Sequence, residues 1–140
     1  MWMAEGSAVA RAEAARVWEL WENVADWRRW DDGIEWSKLQ GGFAAGTCGV
    51  LKPRGGLAAR FTLIEVEPGR SFADVTHLPL ARLHFSHRLE IQADGSTRIV
   101  HRAELRGPLG WLFRAIIGPG IKKGMPLAVE KLARLAEQAP

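Results

Sequence analysis

An α+β fold is what this sequence predicts: a seven-stranded, curved antiparallel sheet wrapped around one long C-terminal helix, with two short helices after the first strand. Three observations carry that expectation. Between Ile34 and Leu105, segments of strand-like composition alternate with turn residues, and the links are too short for anything but antiparallel neighbours. An amphipathic helix follows the first strand. From Ile121 onward the chain carries a single apolar stripe at helical spacing.

The elements follow in chain order. Residues Trp2 to Ala10 read as the first strand. Val17, Leu20, Trp21 and Val24 then recur at i, i+3, i+4 and i+7, with Arg16, Glu19, Glu22 and Asn23 on the other face. Asp26 is placed to cap a second short helical turn through Trp27 and Trp30, and Asp31-Asp32-Gly33 turns the chain. Strands are expected at Ile34 to Gln40, Thr47 to Lys52, Leu57 to Val66, Ser71 to Leu78, Arg82 to Ile91 and Thr97 to Leu105. Linked as hairpins, they make a meander to which the first strand adds a seventh. Ile121, Met125, Ala128, Leu132 and Leu135 form the apolar stripe of the last helix, and Lys122, Lys123, Glu130, Lys131, Arg134 and Glu137 form its wet face. Gly118-Pro119-Gly120 and Pro126 predict a short first segment, Pro108 to Ile117, followed by a kink that could gate the interior. Twist and curl leave space between such a sheet and one covering helix, so a cavity is expected there.

The 140 residues suit one domain, 1–140, and 47% hydrophobic with 25% charged residues is the balance of a globular chain. The N-terminal Met1-Trp2-Met3-Ala4-Glu5 lacks the basic and apolar regions of a secretory signal, which makes the cytoplasm the expected location. Cys48 is the only cysteine; an internal disulfide or a thiolate metal cluster is excluded, and a buried structural thiol is expected. The net charge of +3 comes from cations scattered among 16 acidic residues, with no stripe for nucleic acid. Phosphate-binding Gly-rich loops, Ser-His-Asp signals and zinc-finger spacings are also missing.

The run Arg16-Val17-Trp18-Glu19-Leu20-Trp21-Glu22-Asn23-Val24-Ala25-Asp26-Trp27-Arg28-Arg29-Trp30-Asp31 resembles the first-helix pattern of the START-like (SRPBCC) superfamily, in its polyketide cyclase/dehydrase branch. Glu65-Val66-Glu67-Pro68-Gly69-Arg70, the Thr97 to His101 strand and Gly107-Pro108-Leu109 extend the similarity over nearly the whole chain. The resemblance implies a helix-grip fold, and relatives bind or act on lipids, sterols, quinones, plant hormones and polyketides. It is specific for fold and weak for function. Aromatases and cyclases of this fold commonly place Tyr and Arg in the pocket, and this chain has no tyrosine.

The most informative segment is the hairpin Leu83 to Leu105. Its Ala93-Asp94-Gly95 loop suits a three-residue turn with Gly95 left-handed. Pairing Gln92 with Ser96 sets Leu83, Phe85, His87, Leu89 and Ile91 opposite Leu105, Ala103, His101, Ile99 and Thr97, on the apolar and therefore inward face. His87 and His101 then stand side by side. They are the candidates for orienting a polar group of a ligand, or for moving a proton in catalysis; the plainer reading is that they satisfy each other or a buried water. A metal site is not expected, because no His-x-x-x-His or nearby inward carboxylate completes a ligand set. His77 joins them only if its strand turns it inward.

Of seven tryptophans, Trp18 and Trp21 are expected to pack the first helix and Trp27 and Trp30 to form a structural pair. The expected ligand-lining set is Trp36, Phe61, Phe85, His87, His101, Trp111 and Met125, around a pocket of roughly 300 to 1,000 Å³. The leading expectation is a binding module for a small hydrophobic or aromatic molecule, without a cofactor. A cyclase or dehydratase of polyketide type using the cavity histidines is the alternative, and a protein-interaction module with a closed cavity is the third. Arg114, Lys122, Lys123, Lys131 and Arg134 would suit transient contact with an acidic membrane surface or simply solvate the helix. Oligomeric state is left open.

Overall fold

The computed structural model describes residues 2–138. Strand β1 (Trp2–Ala10) leads into α1 (Ala14–Glu22) and a 3-10 helix (Val24–Arg29). Six strands follow, β2 (Ile34–Leu39), β3 (Cys48–Pro53), β4 (Ala59–Glu67), β5 (Ser71–Leu78), β6 (Ala81–Ile91) and β7 (Thr97–Arg106), and then α2 (Gly110–Ala136). The sheet runs β1-β7-β6-β5-β4-β3-β2, antiparallel throughout. It is the expected meander with β1 added beside β7. Strand β4 starts at Ala59, later than expected, and Leu57 stays in the exposed loop before it.

Strand β1 turns Ala4, Gly6, Ala8 and Ala10 inward, all small, because α2 lies directly on them. A Cβ added to Gly6 would sit 3.2 Å from Pro126 Cα and N, tighter than ordinary contact. Small residues here let helix and strand backbones approach. Helix α2 answers with buried Met125, Ala128, Val129, Leu132, Ala133 and Ala136.

Two local expectations are corrected. Pro119 and Pro126 lie inside one continuous helix from Gly110 to Ala136, so Pro108 to Ile117 is not a separate first segment. Each proline forfeits a backbone hydrogen bond, but packing of the α2 face on β1 and β7 holds the helix where propensity alone would not. Asp26 does not cap the 3-10 helix either. That helix begins at Val24, Asn23 precedes it, and Asn23 Nδ2 donates to Asp26 Oδ2 at 3.0 Å. The spacing Val24, Trp27, Trp30 explains the start: three residues per turn puts all three buried side chains on one side.

The core divides in two along the concave face. At the α1 end, Trp18, Trp21, Trp27, Trp30, Phe61 and Phe72 belong to one buried cluster with the last turns of α2. At the other end, Ala4, Leu83, Ala103, Leu105 and Met125 form a smaller cluster, flanked by half-buried Trp2, Leu78, Phe85, Phe113, Ile117 and Ile121. The space expected between sheet and helix is thus filled by rings at one end and lined by incompletely covered apolar side chains at the other. On the opposite face of the sheet Arg102, Glu104 and Arg106, and Arg88, Glu90 and Arg98, form ion-paired rows.

Candidate functional site

The β6–β7 turn sets the geometry. Gln92 N–H donates to Ser96 O at 2.8 Å, Gly95 takes φ of 87°, and Asp94 Oδ1 accepts from both Ser96 N–H and Ser96 Oγ. His87 is paired with His101 in the resulting register, with Phe85 opposite Ala103 and Leu89 opposite Ile99. The two imidazoles are buried, their centroids 4.8 Å apart and their planes 76° from parallel. His87 lies flat on Phe72 of the next strand, with a centroid separation of 3.8 Å.

Hydrogen bonding fixes one tautomer. His87 Nδ1 lies 3.2 Å from Phe72 O, a pure acceptor, so Nδ1–H donates and Nε2 carries a lone pair. Burial, then the neighbouring His101, depresses the His87 pKa well below 6.5. Burial alone lowers His101 to about 3. Both rings are neutral at neutral pH.

Trp21 and Trp30 complete the surroundings of His101, at centroid distances of 5.9 and 5.5 Å, and Trp21 is 5.7 Å from His87. Trp27 Nε1–H is satisfied by Trp21 O at 2.8 Å. Trp21 Nε1, Trp30 Nε1 and His101 Nε2, by contrast, are buried without a hydrogen-bond partner among the described residues. Leaving such an atom unsatisfied costs about 1–3 kcal/mol. Two indole donors and an imidazole nitrogen therefore stand around the histidine pair with unused capacity. Sequence reading assigns these tryptophans to packing, and they do pack; their proximity to His101 follows from how the 3-10 helix seats Trp30 against the sheet.

Asp74 is the residue that sequence reading missed. On β5 it shares the inward face of Phe72, opposite Leu63 of β4 and Phe85 of β6, and is 4% exposed. Desolvation is the sole cause acting on its carboxyl, and it raises the pKa to about 8. The expectation that no carboxylate faces inward near the histidines is thus corrected. The signal is present in the alternation Phe72, Asp74, Thr76, but a bulge between Leu63 and Glu65 resets the partner strand. Among the described residues no group of His, Cys, Asp and Glu is arranged to hold a metal ion.

The other expected residues separate. Phe61 is buried in the aromatic cluster, stacked on Trp27 at 5.6 Å, and Phe85 and Met125 line the second cluster. Trp36 lies on the outer face of the sheet, with Lys38 Nζ 5.7 Å from its ring centroid. The cause is a register shift between Ile34 and Trp36: Ile34 enters the core, and the extra residue turns Trp36 outward. Trp111 is 69% exposed and lines, with Trp2, Arg114, Gly118, Pro119 and Lys122, a groove of about 520 Å³ beside the first half of α2. Neither belongs to the histidine cluster. His77 also faces outward, its Nε2 2.9 Å from Thr62 Oγ1, and Cys48 is half-buried beside the same threonine at 3.7 Å rather than sealed in the core.

A curved antiparallel sheet closed by a C-terminal helix, with its polar groups on the concave face, defines a helix-grip protein. The chain matches, over residues 1–137, the family described as polyketide cyclase / dehydrase and lipid transport, and it belongs to that family. Solved structures agree on the fold. A protein from Mesorhizobium loti is similar with a TM-score of 0.77 at 18% identity, covering 99% of each chain. Norcoclaurine synthase from Thalictrum flavum gives 0.74 at 14% identity, over 99% of this chain and 87% of its own. The di-domain ARO/CYC BexL gives 0.72 at 14% identity, over 99% of this chain and 48% of its own. No curated protein sequence matches significantly.

Proposed function

We propose that this protein binds a small, uncharged hydrophobic or aromatic molecule on the concave face, between the sheet and α2, with His87 and His101 as polar anchors. One observation carries the reading. The titratable groups buried on this face, His87, His101 and Asp74, are all in their neutral forms at pH 7, and unpaired polar atoms of His101, Trp21 and Trp30 stand among aromatic rings. A lining that is dry, aromatic and uncharged, with a few hydrogen-bonding atoms, suits a ligand of the same character. Half-buried Phe85, Phe113, Ile117 and Ile121 mark the end through which such a molecule would enter. The family description, which includes lipid transport, supports this class of ligand.

Turnover is the competing reading, favoured by the lone pair on His87 Nε2 and by the cyclase and dehydrase in the family description. Against it, an imidazole held at about 3 is a weak base, and a general base works best with a pKa near the working pH. Exposed Trp111 beside Arg114 and Lys122 suits transient approach to an acidic membrane surface during ligand exchange. No helix among the described residues is long and apolar enough to cross a membrane.

The test is the pair His87→Phe and His101→Phe, which conserve aromatic packing while removing the ring nitrogens. Binding of a quinone and polyketide panel, followed by tryptophan fluorescence, should weaken about tenfold in each variant. Unchanged affinity with abolished conversion of a bound compound would replace the binding module with an enzyme.

A further inference from the structure

Asp74 is the buried polar group that this binding mode leaves unused. Its place on the concave face is set by β5 alternation: Phe72, stacked on His87, precedes it by two residues, and Phe85, two residues from His87 on β6, is its register partner. Apolar contacts surround it, with Leu63 opposite on β4. No side chain or backbone group of the described residues stabilises its charge. A carboxyl with a merely structural role is ordinarily paired, because an unpaired buried charge is among the most expensive groups in a fold. Asp74 avoids that cost by keeping its proton. A carboxylic acid in this state is a strong hydrogen-bond donor, and none of the described residues receives its proton.

We propose that Asp74 is a specificity-determining residue of the concave-face site: facing inward, buried and opposite Leu63 and Phe85, its carboxyl donates a hydrogen bond to a carbonyl oxygen of the ligand, so that the site prefers neutral ketones and quinones to the matching carboxylates. The inference rests on the concave-face binding reading. A ketone oxygen carried into this apolar surrounding needs a donor, and Asp74 supplies one at a register position two residues along from that of His87. A carboxylate ligand would bring a second acidic group against the first, so that one of the two must hold a proton or both must bear repulsion in a dry site. The other titratable groups facing Asp74 are few. On β6 and β7 they are His87 and His101, both neutral, and β4 presents Phe61 and Leu63 on this face. Arg60, Glu65 and Glu67 of β4, His77 of β5, and Arg82, His84, Arg88 and Glu90 of β6 alternate onto the outer face.

The experiment uses 2-acetylnaphthalene and 2-naphthoate as matched neutral and anionic probes, with the native protein, Asp74→Asn and Asp74→Leu, and tryptophan fluorescence as readout. Asparagine keeps an N–H donor and a similar shape but does not titrate; leucine keeps bulk alone. The native protein should bind the ketone at least about tenfold more tightly than the carboxylate near pH 6, and lose about tenfold in ketone affinity by pH 9.5 as the acid ionises. Asp74→Asn should hold ketone affinity constant across that range, and Asp74→Leu should lose about tenfold already at pH 6. Ketone binding that is weakened by His87→Phe or His101→Phe yet equal in the native protein, Asn and Leu variants overturns the role of Asp74 alone. No binding of either probe by the native protein overturns both that role and the concave-face reading.

Discussion

His87 and His101 are adjacent because a three-residue turn with left-handed Gly95 fixes the register of β6 and β7, and a period of two does the rest. That much is legible in the sequence, since Asp94-Gly95 names the turn and the apolar residues name the inward face. Asp74 is legible only in the Phe72, Asp74, Thr76 alternation of β5, which a charged residue among apolar ones obscures, whereas Trp36 is misplaced because a register shift interrupts its own strand. The orphaned indole nitrogens of Trp21 and Trp30 lie further still from the sequence, which cannot tell a packing tryptophan from one with an unused donor. The buried groups make a pH prediction with opposite signs. In the unfolded chain a histidine takes its proton near 6.5, whereas in the fold His101 refuses it until about 3; the unfolded state binds more protons in between, and stability falls as pH drops through that window. Asp74 keeps its proton in the fold up to about 8 and releases it near 3.8 when unfolded, so its contribution is lost as pH rises from about 4 to 8. Urea denaturation should show His101→Phe losing at least about 1 kcal/mol less than the native protein between pH 7 and pH 4.5, and Asp74→Asn gaining on it at pH 9. Identical pH profiles would mean that these groups are not buried as described.

Helix α2 shows where local rules yield to packing. Pro119, Pro126 and several glycines within it argue for a break, and propensity alone would give one. The helix persists because its later turns bury Val129, Leu132 and Ala133 fully, and because Gly6 lets β1 lie against its backbone near Pro126. Gly49 does the corresponding service in β3, where a side chain would collide with the Phe61 ring and the Lys38 carbonyl. Strand boundaries are readable from turn residues to within about two positions, whereas the unity of α2 is not, since it depends on a strand more than a hundred residues earlier. Gly6→Val should force β1 and α2 apart and lower stability by about 1–3 kcal/mol, read from the urea midpoint. An unchanged midpoint would show that the two elements are not held at the distance described.

The molecule combines a rigid end and a looser one. Edge-to-face and stacked rings from α1, the 3-10 helix, β4 and β5 seal the concave face near Trp21 and Phe72, while Phe85, Phe113, Ile117 and Ile121 cover the far end only partly. Between them lie the neutral histidines and the neutral acid. On the proposed binding reading this division would offer a ligand a dry, polar-tipped floor and an adaptable mouth; the exposed Trp111, Arg114 and Lys122 lie on the same helix as Phe113, Ile117 and Ile121. Fold and family are legible in the sequence, since the alternating strands, the Val17-Trp18 to Trp30 run and the terminal stripe all state them. Native mass spectrometry of freshly purified protein, followed by denaturing extraction, measures the central claim most directly. A reproducible bound mass in one-to-one stoichiometry, released on denaturation as an uncharged hydrophobic or aromatic compound and diminished in His87→Phe, is the predicted result. An empty spectrum, with no thermal shift from a lipid, quinone and polyketide panel, would contradict it.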